Sequence, residues 1–221
     1  MVSAGVLGVN GLHLGVAYLP KVLMGFGAGA AWMLLGLARA HPYRRIGAAN
    51  QTTIVRAALV ALLAGLVGEH GGVEVATAAA LLATGITLLD GVDGWLARRY
   101  NTVSSFGARF DMETDAVFVA VLSLLAWQFG KVGAWVLLSG LMRYLFALAA
   151  VFWPLLRRPV PSTYRGKTIA VFQMIALIIV IAPASGSGLG VTVAAAALIA
   201  LIFSFSLDVV WLLRQSETHD R

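Results

Sequence analysis

The chain has 221 residues, of which 60% are hydrophobic and only 12% charged, with 16 Lys and Arg against 10 Asp and Glu. Average soluble domains carry about 25% charged residues, and a chain this short cannot hide so much apolar surface in one core, so an ordinary water-soluble domain is excluded. The formal charge of +6 suits loops lying against anionic lipid head groups better than nucleic-acid binding, and the absence of cysteine removes disulfides, thiolate metal sites and cysteine nucleophiles.

In chain order, residues 1–12 are apolar and Gly-rich without a basic start, so no cleaved signal peptide is expected. The apolar stretch Val22 to Ala38, opened by Pro20 and Lys21, follows. It makes residues 1–46 an N-terminal extension that is re-entrant, interfacial or an additional membrane helix. Six membrane helices are then predicted near 51–68, 73–99, 106–129, 132–155, 166–184 and 188–213, spans that take about 20 residues each. Pro159 and Pro161 break the chain between the fourth and fifth, and Pro183, Gly186 and Gly188 punctuate the next turn. The expected fold is an all-α integral membrane protein, a six-transmembrane-helix bundle with an extra N-terminal apolar or interfacial segment. Residues 47–215 form one membrane domain and 216–221 a polar tail, with no internal repeat and no linker.

Charge orients this bundle. Arg39, Arg44 and Arg45 precede the first span; Arg98, Arg99 and Arg109 lie between the second and third; Arg157, Arg158, Arg165 and Lys167 lie between the fourth and fifth; Arg214 and Arg221 follow the last. Of Lys and Arg the alternate loops carry only Lys131, while Glu69, His70 and Glu74 follow the first span. The positive-inside rule therefore places the basic loops and the C-terminus in the cytoplasm, in a multi-pass protein of the cytoplasmic (inner) membrane.

One segment concentrates the chemistry, running from Asp90-Gly-Val-Asp93-Gly94 through Ala97-Arg98 to Gly107 and then Asp111 and Asp115. Asp90 and Asp93 are three residues apart and Asp111 and Asp115 four apart, so on helices each pair shares a face. Four carboxylates converging from consecutive antiparallel helices repel strongly in a medium of low dielectric. Two divalent cations cancel that charge, and oxygen ligands suit Mg²⁺ or Mn²⁺. Paired ions about 3.5–4 Å apart are a usual device for displacement at phosphorus. Gly94, Ala97 and Gly107 leave room for a nucleotide against the backbone, and Arg98 offers a fork to phosphate. Asp111 lies in the early turns of its helix, at the end whose dipole favours phosphate. The segment reads as a phosphoryl-transfer site on the cytoplasmic side.

These residues resemble the signature of the CDP-alcohol phosphotransferase family, D-x-x-D-G-x-x-A-R-x(8)-G-x-x-x-D-x-x-x-D, with Asp90, Asp93, Gly94, Ala97, Arg98, Gly107, Asp111 and Asp115 at its fixed positions. Asn50, Thr53 and Arg56 match the N-x-x-T-x-x-R pattern that often opens the first helix of such enzymes. The resemblance implies that Asp90, Asp93, Asp111 and Asp115 ligate metal. Asp115 would also be the catalytic base on the acceptor hydroxyl, and Asn50, Thr53, Gly94, Ala97, Arg98 and Gly107 would form the CDP pocket. The implied partners are CDP-diacylglycerol or a similar CDP-alcohol, a small alcohol acceptor and membrane lipid, with CMP released; family members are often homodimers. Two departures from the family stand out: Ala116 follows the fourth aspartate where several lipid-synthesising members carry Lys or Arg, and residues 1–46 have no clear counterpart.

Other charges fall inside apolar stretches. Arg56 needs a partner or ligand at its depth in the first span. Arg143 lies mid-helix and reads either as a contact for the acceptor's phosphate or as an ion pair with Asp208, while Arg165 and Lys167 belong to a basic loop able to serve the acceptor too. Glu113 is off the face of Asp111 and Asp115 by about 160–200° and reads as a bystander. Two rival functions share some features. An intramembrane prenyltransferase also uses Asp-rich motifs and Mg²⁺ but places them on widely separated helices, and a divalent-cation transporter needs ligands near the midplane.

Overall fold

The computed structural model describes residues 14–40, 48–69, 72–100, 105–157 and 163–219, with side chains described for all of these except 32–40, 48–50, 93–100, 105–106, 154, 157, 187 and 216–219. Among the described residues seven α-helices follow one another: α1 Tyr18–Ala40, α2 Ala48–Gly65, α3 Val73–Tyr100, α4 Ser105–Gln128, α5 Leu137–Phe152, α6 Tyr164–Ile181 and α7 Ser187–His219. Short 3₁₀ turns, Ala134–Val136 and Pro154–Arg157, bracket α5. No strand occurs among the described residues.

Local chemistry sets the ends of these helices. Past α2 the chain turns at Gly68 with φ of 81°, and past α4 at Gly130 with φ of 64°, left-handed positions that glycine adopts without a Cβ penalty. Trp153 leaves α5 with φ −116° and ψ 96°, as expected of a residue pressed by the following proline. Thr163 caps α6, its Oγ1 accepting from Gly166 N at 3.1 Å.

The core lies where α2, α3, α4 and α6 meet, around Leu63, Ala83, Ile86, Phe118, Leu122, Leu125 and Leu177, all fully buried. α5 crosses α4 so closely that a Cβ on Gly140 would fall 2.5 Å from Ala120 Cα. Small residues allow such backbone approach between membrane helices. Large apolar side chains also cover the outside, among them Leu81, Leu88, Leu148, Phe152 and Ile199, which suits a bundle solvated by lipid.

Four stretches among the described residues are long and apolar enough to cross a membrane: Val73–Val92, Ala134–Phe152, Tyr164–Ile181 and Gly188–Gln215. The protein is a multi-pass membrane protein. All six expected stretches are helical, but the apolar part of α2, Gln51–Gly65, is shorter, and the first half of α4 carries Arg109, Asp111, Glu113 and Asp115.

α1 lies against α2 and runs antiparallel to it. Gly25 faces Ala61, and a Cβ on Gly65 would meet Val22 Cγ2 at 2.5 Å and the Tyr18 ring at 2.8 Å. Tyr18 donates to Leu62 O at 3.2 Å. Beyond the end of α2, Lys21 Nζ donates to Val67 O at 2.9 Å and pairs with Glu69 at 2.6 Å. The other Glu69 oxygen accepts from Gly15 N at 2.7 Å. From Gly15 through Val22 to Gly25 the contacts advance along the chain while their partners retreat from Glu69 through Gly65 to Ala61.

Candidate metal centre

Three helices build the site from one end of the bundle. α2 supplies Arg56, whose side chain is 0% exposed, and α3 and α4 supply Asp90, Asp111 and Asp115, whose side chains keep 23%, 41% and 29% of their exposure. The guanidinium is the sealed floor and the carboxylates form the open rim. Arg56 Nη1 lies 2.8 Å from Asp90 Oδ1 and 2.6 Å from Asp111 Oδ1, and Nη2 lies 2.5 Å from Asp115 Oδ1. The need of a buried arginine for partners, expected from the sequence, is met here by three carboxylates at once.

Asp90, Asp111 and Asp115 each offer an oxygen, all within 4.8 Å of one another. Three hard oxygen donors this close, reachable from outside, fit a divalent cation such as Mg²⁺ or Mn²⁺. The sequence spacing explains the convergence: Asp111 and Asp115 sit one turn apart on α4, and Asp90 faces them from beyond the midpoint of α3. Thr53 is buried one turn before Arg56 on α2, and half-buried Gly107 lies one turn before Asp111, so both belong to the faces that meet here. Asp93, Gly94, Ala97 and Arg98 continue α3. The side chains of Asn50, Asp93, Ala97 and Arg98 lie outside the described residues, as does the surroundings of Gly94.

The remaining charged residues pair differently from expectation. Arg143 does not meet Asp208. Its Nη2 lies 2.5 Å from Glu113 Oε1 and its Nη1 reaches Met112 Sδ at 2.7 Å. Asp208 takes Arg165 instead, at 2.6 Å. Glu113 is therefore no bystander: being turned away from the Asp111 and Asp115 face is what directs it toward α5. The available signal was the scarcity of charge in apolar helices, which forces each one to find a partner. Lys167 is exposed one residue past Gly166 in the first turn of α6.

A cavity of about 540 Å³ lies elsewhere, at the far end of the bundle, lined by Glu69, Val73, Gln128, Lys131 and Pro183. Its polar groups are engaged in closing loops. Gln128 Nε2 donates to Glu69 O at 2.9 Å, and Lys131 Nζ donates to Ser185 O at 2.9 Å. The carboxylate cluster lies apart from this cavity, at the other end of the bundle.

A helical membrane bundle that gathers carboxylates from two consecutive helices around one end defines a membrane protein with a metal-competent acidic centre. The chain belongs to the CDP-alcohol phosphatidyltransferase family, whose model matches residues 47–207. Among curated relatives it is 56% identical over 39 residues to CDP-diacylglycerol--inositol 3-phosphatidyltransferase 1 of Arabidopsis thaliana. It is 54% identical over 39 residues to Probable CDP-diacylglycerol--inositol 3-phosphatidyltransferase 2 of the same plant. Each match covers 18% of this chain and 17% of the relative, so the chain is matched over about a sixth of the length of these proteins.

Proposed function

We propose that the protein transfers a substituted phosphate group, the phosphatidyl group of CDP-diacylglycerol or of a similar CDP-alcohol, to a small alcohol, releasing CMP. The observation that carries this reading is the meeting of Asp90, Asp111 and Asp115 within 4.8 Å in a chain of this family. Asp90, Asp93, Asp111 and Asp115 would hold the divalent ions, Mg²⁺ or Mn²⁺ and two in number. Bound there, such ions supply charge to stabilise the diphosphate oxygens and the departing CMP.

The chain's own groups do the rest. Asp115 takes the proton of the acceptor hydroxyl, whose oxygen attacks the phosphorus bearing the lipid, and the bond from that phosphorus to the CMP oxygen breaks. Asn50, Thr53, Gly94, Ala97, Arg98 and Gly107 line the CDP pocket, with Arg98 forking onto phosphate. Arg143, Arg165 and Lys167 contact the acceptor. An arginine held by one carboxylate keeps further N–H donors for an anion, which favours a phosphorylated polyol. Inositol comes into question through the names of the two relatives.

The bundle that carries this site has six spans, α2 to α7, in domain 47–215, with the carboxylates facing the cytoplasm of the inner membrane. α1, about 35 Å long at 1.5 Å per residue and antiparallel to α2, is an additional membrane helix of the 1–46 extension. It places Gly15, which donates to Glu69, at the end opposite the site.

The test is turnover. Purified protein in detergent is given radiolabelled CDP-diacylglycerol with Mg²⁺ or Mn²⁺ and, in turn, glycerol 3-phosphate, inositol, inositol phosphate or serine. CMP and a labelled lipid product should appear with one acceptor and vanish in chelator. No CMP with any acceptor, or undiminished turnover in excess EDTA, refutes the reading.

A further inference from the structure

Arg56 is the one cation at the acidic cage that the chain itself supplies among the described residues, and its geometry gives it a task of its own. A fully buried guanidinium in an apolar helix is costly unless paired. Here all three carboxylates turn an Oδ1 to it, at 2.8, 2.6 and 2.5 Å. One planar fork thus ties α2 to α3 and to two successive turns of α4, a geometry that a flexible ammonium does not reproduce.

We propose that Arg56 is the fixed counter-cation of the centre: it gathers the carboxylates and, by its charge, restrains their affinity for divalent ions. This rests on the reading of the cage as a metal site. The arginine halves the excess negative charge a first divalent ion would otherwise find beyond its own two units. Four aspartates, Arg56 and two divalent ions together leave one positive charge, which suits the anionic diphosphate of a nucleotide. Arg56 is accordingly a positioning residue, acting through the aspartates.

The experiment measures Mn²⁺ binding to the full chain in detergent, without nucleotide, by electron paramagnetic resonance of free Mn²⁺. For Arg56→Gln, Mn²⁺ should bind at least about tenfold more tightly than to the parent, because a fixed positive charge in contact with three of the carboxylates is gone. The thermal midpoint in chelator should fall, and CDP should bind more weakly at saturating Mn²⁺. A structural ion pair alone would lower the midpoint without tightening Mn²⁺; unchanged or weaker Mn²⁺ binding therefore overturns the proposal. Should Arg56→Gln not fold even in Mn²⁺, Arg56→Lys decides. Its ammonium can swing off the cage, so Mn²⁺ should bind more tightly than to the parent, and equal affinity overturns the role of Arg56. If the parent itself binds no Mn²⁺, the metal reading falls and this inference with it; if it binds and the variants match it, only the inference falls.

Discussion

Replacing Asp115 by Asn separates chemistry from architecture, because asparagine keeps the shape and one oxygen acceptor while losing the charge and the basicity. In the structure Arg56 Nη2 rests on Asp115 Oδ1 at 2.5 Å, while Nη1 is held independently by Asp90 and Asp111 at 2.8 and 2.6 Å. The arginine of Asp115→Asn therefore keeps two carboxylate partners and a neutral acceptor, so no buried charge is left unpaired. The loss of one charge-assisted hydrogen bond in favour of a neutral one should cost no more than about 2 kcal/mol of stability. Turnover should fall far more, since a positioned general base contributes about 10²–10⁴-fold, and the weaker donor set for metal adds to the loss. The assay is the initial rate of CMP release from radiolabelled CDP-diacylglycerol at saturating acceptor and Mn²⁺. It is accompanied by CDP binding and a thermal midpoint, to show that the variant is folded and still takes nucleotide. A folded variant that retains more than about a tenth of the parental rate would refute the assignment of Asp115 as base.

Gly107→Leu should weaken CDP binding at least about tenfold while leaving the fold intact, as expected if the backbone there borders the nucleotide; unchanged affinity in a CDP titration counts against that pocket. Gly140→Leu forces a side chain into a gap where even a Cβ would lie 2.5 Å from Ala120 Cα. Overpacking of this kind should cost about 1–3 kcal/mol or more, seen as a lowered thermal midpoint in detergent. Gln173 is 1% exposed, and neither its Nε2 nor its Oε1 finds a hydrogen-bond partner. Gln173→Leu should therefore raise the midpoint by removing an orphan amide that costs about 1–3 kcal/mol, with CMP release unchanged. Glu69→Ala releases both Lys21 and Gly15, and limited proteolysis should then cut before α1 faster than in the parent.

The helices were legible because their apolar runs are long and their breaks carry proline and glycine; all six expected stretches are helical. Spacing alone also placed Asp111 and Asp115 on one face, and the resulting proximity to Asp90 needed only antiparallel neighbours. What the sequence hid were pairings across helices. Arg143 could have met Asp208 or Glu113 by composition alone, and only the rotation of α4 against α5 decides for Glu113, leaving Asp208 to Arg165. The N-terminal extension was equally open. Its Gly-rich, Lys-containing start allows several placements, and the clamp of Lys21 and Gly15 on Glu69 depends on a carboxylate 48 and 54 residues away, invisible to any local pattern.

The two ends of the bundle solve opposite problems. At the Glu69 end, Gln128 and Lys131 spend their donors on backbone carbonyls of the loops just past two helix ends, which closes the loops. At the other end the carboxylates are left between about a quarter and two-fifths exposed over a guanidinium from which solvent is excluded. A reaction between a lipid anchored in the bilayer and a polar alcohol dissolved in water needs such an edge. In the proposed reaction the donor's chains would stay beside apolar helices, while its diphosphate and the acceptor would reach the same few oxygens. Burying the cage deeper would strip the acceptor of its route from water, and raising it clear of the helices would let solvent screen the field on which displacement at phosphorus depends. Among the described residues the one fully buried charge of the centre sits on a rigid arginine, with the titratable groups above it, which keeps the floor of the site charged whatever the rim binds.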